Sequence, residues 1–171
     1  MSLKPDISEL RNLGHHKTLY DWGIQFFNIP SALKSDFTTA ELNTRCTSSS
    51  IPTRTMQEME INLRGHKVYQ HGIVSYGNTL DLTLYETIDS KVQDFLVACM
   101  NMQWTPITGT QVPKSLNQCN FLLSLLDSEH NPTFNYTIVG AWLKGYEASG
   151  TLGGDSSVLQ WTTHWQYDYW I

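Results

Sequence analysis

The stretch NTLDLTLYETIDSKVQDFLVACMNMQW, residues 78–104, decides the reading of this chain. Leu80, Leu82 and Leu84 alternate with Asp81, Thr83 and Tyr85. Successive side chains of a strand point to opposite faces, so this period of two predicts a half-buried strand. The period then lengthens. Val92, Phe95, Leu96, Cys99 and Met100 recur at the spacing of one helix face, which predicts an amphipathic helix over 90–102. Ser90, with Gln93 three residues on, has the form of a capping box and sets the helix start. Only one other helix candidate is visible, and it is short, so the apolar stripe must be covered by a sheet.

Outward from this stretch the pattern is that of strands. Residues 20–29 alternate Tyr20, Trp22, Ile24 and Phe26 against Asp21, Gly23, Gln25 and Phe27, and Pro30 ends the run because it cannot donate to a ladder. A weaker strand is expected over 38–48, leading into the polar loop 47–50. Over 55–64, Met59, Ile61 and Leu63 face one way and Glu58, Glu60, Asn62 and Arg64 the other. A short strand over 67–70 follows. The run 116–126 is the most apolar, with Cys119, Phe121, Leu123 and Leu125 on one face and Leu122 on the other, which implies cover on both sides. After the turn cluster D-S-E-H-N-P at 127–132 come a return strand over 133–142, a Gly-rich loop over 148–156 and a long closing strand over 157–171. Residues 31–37 and 105–116 read as connections. Residues 1–17 read as an arm, with Asp6 capping a short helix that carries Ile7, Leu10 and Leu13. Residues 18–171 then form one mainly β domain: an antiparallel β-sandwich or partly closed barrel of roughly seven or eight strands, with one flanking helix.

The totals narrow the function. A compact chain of 171 residues buries roughly 70% of the surface its unfolded form exposes, enough for a core without disulfides or metal. The formal charge is −5, whereas proteins that grip nucleic acid by its phosphates carry a basic excess. Cys46, Cys99 and Cys119 form no C-x-x-C pair; Cys99 and Cys119 fall on inward faces and read as small buried hydrophobes, as in a reducing compartment. The N-terminus has no long apolar run, so neither a signal peptide nor a membrane span is expected.

No catalytic signature is present: no G-x-S-x-G, H-E-x-x-H, Walker sequence or G-x-G-x-x-G. Glu58 and Glu60 share a strand face about 7 Å apart, a spacing that acid–base chemistry could use but that a solvated acidic face explains more simply. His164 stands four residues from Asp168 with no nucleophile beside it. His66 and His71 have no third ligand in a recognisable spacing. No enzymatic activity, cofactor or metal is expected. The aromatic content of 12%, with six Trp and eight Tyr, exceeds what one small core requires and points to subunit contacts, where these residues concentrate.

The order of motifs resembles the tail tube proteins of contractile-tailed bacteriophages, a family related to the tube proteins of type VI secretion systems and contractile bacteriocins. The resemblance is carried by SSIPTR at 49–54, MEINLRGHKVY at 59–69, TLDLTLYETIDSKV at 79–92, LLDSEHNP at 125–132, IVGAWL at 138–143 and the aromatic closing strand. It covers residues 18–171. It implies hexameric rings whose inner sheets join into a barrel, stacked into a tube inside a sheath. It further implies association with a sheath protein, a baseplate tube initiator, a tail terminator and a tape measure protein, in a virion tail assembled in the host cytoplasm. Genomic DNA would pass through the lumen on ejection without specific binding. The alternatives within the resemblance are a baseplate tube initiator of the same fold, or the tube of a secretion or bacteriocin device. Joining sheets around a ring removes exposed edges, and an acidic wall repels DNA over a Debye length of about 8 Å. Glu58, Glu60 and Asp81 are accordingly the expected lumen residues. Thr47, Ser48, Ser49, Ser50, Ile51, Pro52 and Arg54, with Ile7 and Leu10 of the arm, are the expected contacts between stacked rings.

Overall fold

The computed structural model describes residues 7, 16–30, 33, 37–150, 153 and 156–171. Most of the expected arm, Leu10 included, lies outside them. The strands are β1 (Trp22–Asn28), β2 (Cys46–Ser49), β3 (Arg54–Leu63), β4 (His66–Tyr76), β5 (Thr79–Tyr85), β6 (Trp104–Thr105), β7 (Thr110–Gln111), β8 (Cys119–Leu126), β9 (Pro132–Ser149), β10 (Gln160–Gln166) and β11 (Tyr169–Trp170). The helices are α1 (Thr39–Arg45), α2 (Lys91–Gln103) and α3 (Lys114–Asn117).

One antiparallel sheet runs β1-β8-β9-β10-β5-β2, with β11 added beside β9. It folds over on itself because β9 is long enough to serve two halves. The first part of β9 pairs with β8, and the part from Trp142 onward pairs with β10. The change of partner occurs at Gly140, whose φ of +70° suits glycine and forms a bulge that bends the strand; its amide donates to Asn120 Oδ1 at 3.0 Å. The two end strands, β1 and β2, do not pair, so the barrel stays open along that seam. The closing strand likewise breaks at Tyr167. Gln166 still pairs with Trp142 on one side and Thr79 on the other, and Tyr169 then pairs with Val139.

The core lies between the two halves of the sheet and α2. Leu80, Leu82 and Leu84 are buried, as are Val92, Phe95, Leu96 and Cys99 on the helix stripe. Phe26 contacts Phe121 at 5.1 Å and Phe95 at 5.6 Å between ring centroids, and Trp165 stands edge-on to Phe121 at 4.9 Å. The buried hydroxyl of Thr163 donates to the Leu82 carbonyl and accepts from the Trp165 indole, both at 3.0 Å. Cys99 and Cys119 are buried as expected, and burial pushes the Cys119 thiol up to about 12.

Several expectations need correction. The run 38–48 is mostly helix, not strand, so α2 is not the only flanking helix. Thr38 and Glu41 form a reciprocal capping box at its start, and Arg45 pairs with Glu41 one turn on; capping chemistry outweighs a weak alternation. Helix α1 covers the free edge of β1, where Asn43 Oδ1 accepts from the Ile24 amide at 2.9 Å. Ser90 is not a side-chain cap: it adopts φ +53° and makes no capping bond. Glu86 performs that function from across the turn, accepting from the amides of Val92 at 3.3 Å and Gln93 at 2.8 Å. Strand β4 runs through Gly72 to Tyr76 rather than ending at Gln70, and β9 continues through Gly145 to Ser149.

Candidate assembly surfaces

Strands β3 and β4 form a separate hairpin that bonds to no other strand among the described residues. Its turn, Arg64–Gly65, has φ of +46° and +85°, the doubly positive pattern that matches hairpin twist. Opposed pairs define two faces. Glu58/His71, Glu60/Tyr69 and Asn62/Lys67 lie on one, and Met59/Gln70, Ile61/Val68 and Leu63/His66 on the other. The second face is apolar and has no cover among the described residues: Leu63 is 62% exposed, Met59 49% and Val68 46%. No residue of either strand is buried. Among the described residues the hairpin is held only at its base. There the Gly77 amide and the Trp170 indole both donate to the Thr53 carbonyl, at 3.0 and 3.2 Å, and the Arg54 guanidinium lies 4.8 Å over the Trp170 ring. A two-stranded hairpin is at best marginally stable in water, and unpaired edges with an apolar face are a template for association. The edge of β3 is regular, whereas β4 carries an extra residue at Gly72–Ile73 between the pairs Met56/Val74 and Glu58/His71.

The second surface is the seam. A cleft of about 300 Å³ opens between β1, β8 and β2, lined by Leu19, Trp22, Leu123, Leu125 and Leu126 together with Thr47, Ser48, Ser49 and Ile51. Thus four of the residues expected at ring contacts converge on one recess. Their loop is pinned to β5: Thr47 Oγ1 donates to the Thr83 carbonyl at 3.2 Å, and Ser50 Oγ accepts from the Asp81 amide at 2.9 Å. Pro52 is buried within the subunit.

The third surface is the outward polar face of β5, β10 and β9. Asp81 Oδ1 lies 2.6 Å from His164 Nδ1, and Glu147 Oε1 lies 3.9 Å from His164 Nε2. Asp168, four residues from His164 in sequence, pairs instead with Lys114 at 2.5 Å. The three expected lumen residues therefore divide between two sheets. Asp81 is on the body, while Glu58 and Glu60 share a face of the hairpin; Glu60 pairs with Lys67 at 2.9 Å. The Lys67 ammonium, and after it the Asn62 amide, hold the Glu60 carboxyl below its usual range. Among the described residues no group of three or more His, Cys, Asp or Glu side chains is arranged to hold a metal ion, and no helix is long and apolar enough to cross a membrane.

The sequence reading missed the isolation of the hairpin. Its one available signal was the positive-φ turn Arg64–Gly65 between two alternating runs. It also missed the Asp81–His164 contact, which depends on which strands become neighbours.

The open antiparallel sheet folded over one main helix, with its projecting hairpin, is a tail-tube-like fold, similar to chains solved in contractile injection systems. It aligns with an extracellular contractile injection system solved as its sheath/tube terminator in the extended state, at TM-score 0.63 and 11% identity over 93% of this chain and 97% of that one. The tube-terminating cap of the anti-feeding prophage aligns at TM-score 0.61 and 10% identity over 92% and 90%. The sheath–tube complex of an extracellular contractile injection system aligns at TM-score 0.56 and 11% identity over 98% and 97%. No protein-family model matches the sequence, and no curated protein matches it.

Proposed function

We propose that this chain is a structural subunit of a contractile tail, building hexameric rings that stack into the tube inside the sheath. The observation that carries this reading is the hairpin of β3 and β4: an apolar face and two open edges that no described residue of the subunit covers. A surface that binds a different surface of an identical copy gives contacts that close into rings or continue as filaments, and a tube needs both. The tube conducts DNA during ejection into the host. Its lumen is acidic, with Asp81, Glu58 and Glu60 facing the duplex, so that DNA slides rather than releasing counterions into tight contacts. Sheath, baseplate initiator, terminator and tape measure proteins are its partners in the assembled tail. A second reading, a protein that ends or starts a tube, has support in the alignments to a tube terminator and a tube cap.

Negative-stain electron microscopy of the purified chain over a concentration series separates these. Hollow stacked tubes are expected. Single rings that never lengthen would favour the tube-end reading. A monomer at every concentration would overturn the proposal.

A further inference from the structure

A recess of about 580 Å³ lies where the C-terminal end of α2, strand β7, helix α3 and strand β9 meet. Gln103 is the last residue of α2, Gln111 the last of β7, and Lys114 and Asn117 are the ends of α3. Trp142 follows the Gly140 bulge, where β9 leaves β8 for β10. The rim is held by the backbone: the Val112 amide donates to the Gln103 carbonyl at 3.3 Å, and Gln111 pairs with Trp104. We propose that this recess binds a neutral saccharide, with one sugar ring against the Trp142 indole and its hydroxyls shared among the carboxamides of Gln103, Gln111 and Asn117.

The wall contains a polar group that the subunit does not satisfy. Asn117 is only 8% exposed, and its Oδ1 has no hydrogen-bond partner among the described residues. A buried acceptor without a donor is costly, and most such groups in folded proteins are paired. A hydroxyl entering beside Asn117 supplies that donor. The two other carboxamides stand on separate elements, so they reach the ligand from different directions. A recess of this size with one aromatic wall and a few converging polar groups has the make-up of a small-molecule site.

The chemistry of the wall selects the ligand class. Among the described lining residues Lys114 alone is charged, and its ammonium pairs with Asp168. An anion therefore meets no spare cation, and the net charge of −5 disfavours it further. A purely apolar ligand would cover the carboxamides without pairing them. A sugar hydroxyl both donates and accepts, as a carboxamide does, so the two match whichever way each amide is turned. The C–H face of a sugar ring is apolar and lies well on a half-buried indole such as Trp142.

The test is ligand-observed saturation-transfer NMR on the full chain, which works for a monomer, a ring or a tube. The probes are maltose, cellobiose and N,N′-diacetylchitobiose, with adenosine as the comparison because an amide can also pair with adenine. At least one disaccharide is expected to receive saturation at concentrations up to about 20 mM, where a millimolar site is nearly filled. Gln111→Ala is expected to weaken that binding about fivefold, the loss of one hydrogen bond; Gln111 is exposed, so its melting temperature should stay at the wild-type value. Gln103→Ala is the second variant and should weaken binding to a similar degree. Saturation of none of the three disaccharides, binding left unchanged by both variants, or binding of adenosine in place of the sugars would each overturn the proposal. The tube reading stands in all of these cases, since no step here depends on assembly.

Discussion

Replacing Glu86 by Ala tests how the strand-to-helix passage is held together. The Glu86 side chain is 5% exposed. Its Oε2 accepts from the Gln93 amide at 2.8 Å and the Trp161 indole at 3.0 Å, and its Oε1 accepts from the amides of Val92 at 3.3 Å and Thr87 at 3.0 Å. One carboxylate thus ties the end of β5 to the first turn of α2 and to β10. Hydrogen bonds to a charged group contribute about 1.5–3 kcal/mol each, and a lost helix cap costs about 1 kcal/mol. These terms are not additive, because water can reach the helix amides once the side chain is gone. Arg45, 3.8 Å from Glu86, also keeps Asp89 at 3.1 Å. A net loss of about 3 kcal/mol follows. For a chain of this size that lowers the melting temperature by about 6–12 °C. Glu86→Gln retains an acceptor oxygen and should lose about half as much. Ser90→Ala should move the midpoint by only a few tenths of a kcal/mol, since Ser90 caps nothing through its side chain. Urea and thermal melts followed by circular dichroism measure all three. A shift below about 2 °C for Glu86→Ala, or an equal loss for Ser90→Ala, would refute the assignment of the cap to Glu86.

Two further outcomes can be checked on the same instruments. The Thr87 hydroxyl, and after it Arg45, hold the Asp89 carboxyl down to about 2, and Lys91 holds Glu41 below its usual range. Both folded-state values are depressed, so their contribution is present above the ordinary carboxylate range and lost as pH falls through the folded values. The urea midpoint should fall between the ordinary aspartate value of 3.8 and about 2, and Asp89→Asn should flatten that decline; an unchanged pH profile would refute it. At Gly140 an added methyl group would occupy a left-handed backbone conformation and land on the Asp168 carboxylate, which pairs with Lys114. Gly140→Ala should cost at least about 2 kcal/mol in a denaturation series, and a loss under about 0.5 kcal/mol would show that the bulge is not strained.

The sequence by itself determined the elements whose cause is local. Leu80, Leu82 and Leu84 alternate and are buried; Val92, Phe95, Leu96 and Cys99 form a stripe and face the core. Periodicity works there because both the side of an element and its cover are supplied by this chain. Helix α1 is equally local, but Thr38 and Glu41 signal it through capping rather than through an apolar period. What only the tertiary structure decided depends on neighbours. Met59, Ile61 and Leu63 alternate as cleanly as Leu80, Leu82 and Leu84, but they lie on a hairpin face that no described residue covers. A period of two states which way a side chain points and carries no information on what it meets. The same reason separates Ser90, a cap by spacing, from Glu86, a cap by position, and leaves the Asp81–His164 contact invisible until strand order brings β5 beside β10. The seam cleft is also a product of strand order: it exists because β1 and β2 end the sheet without meeting.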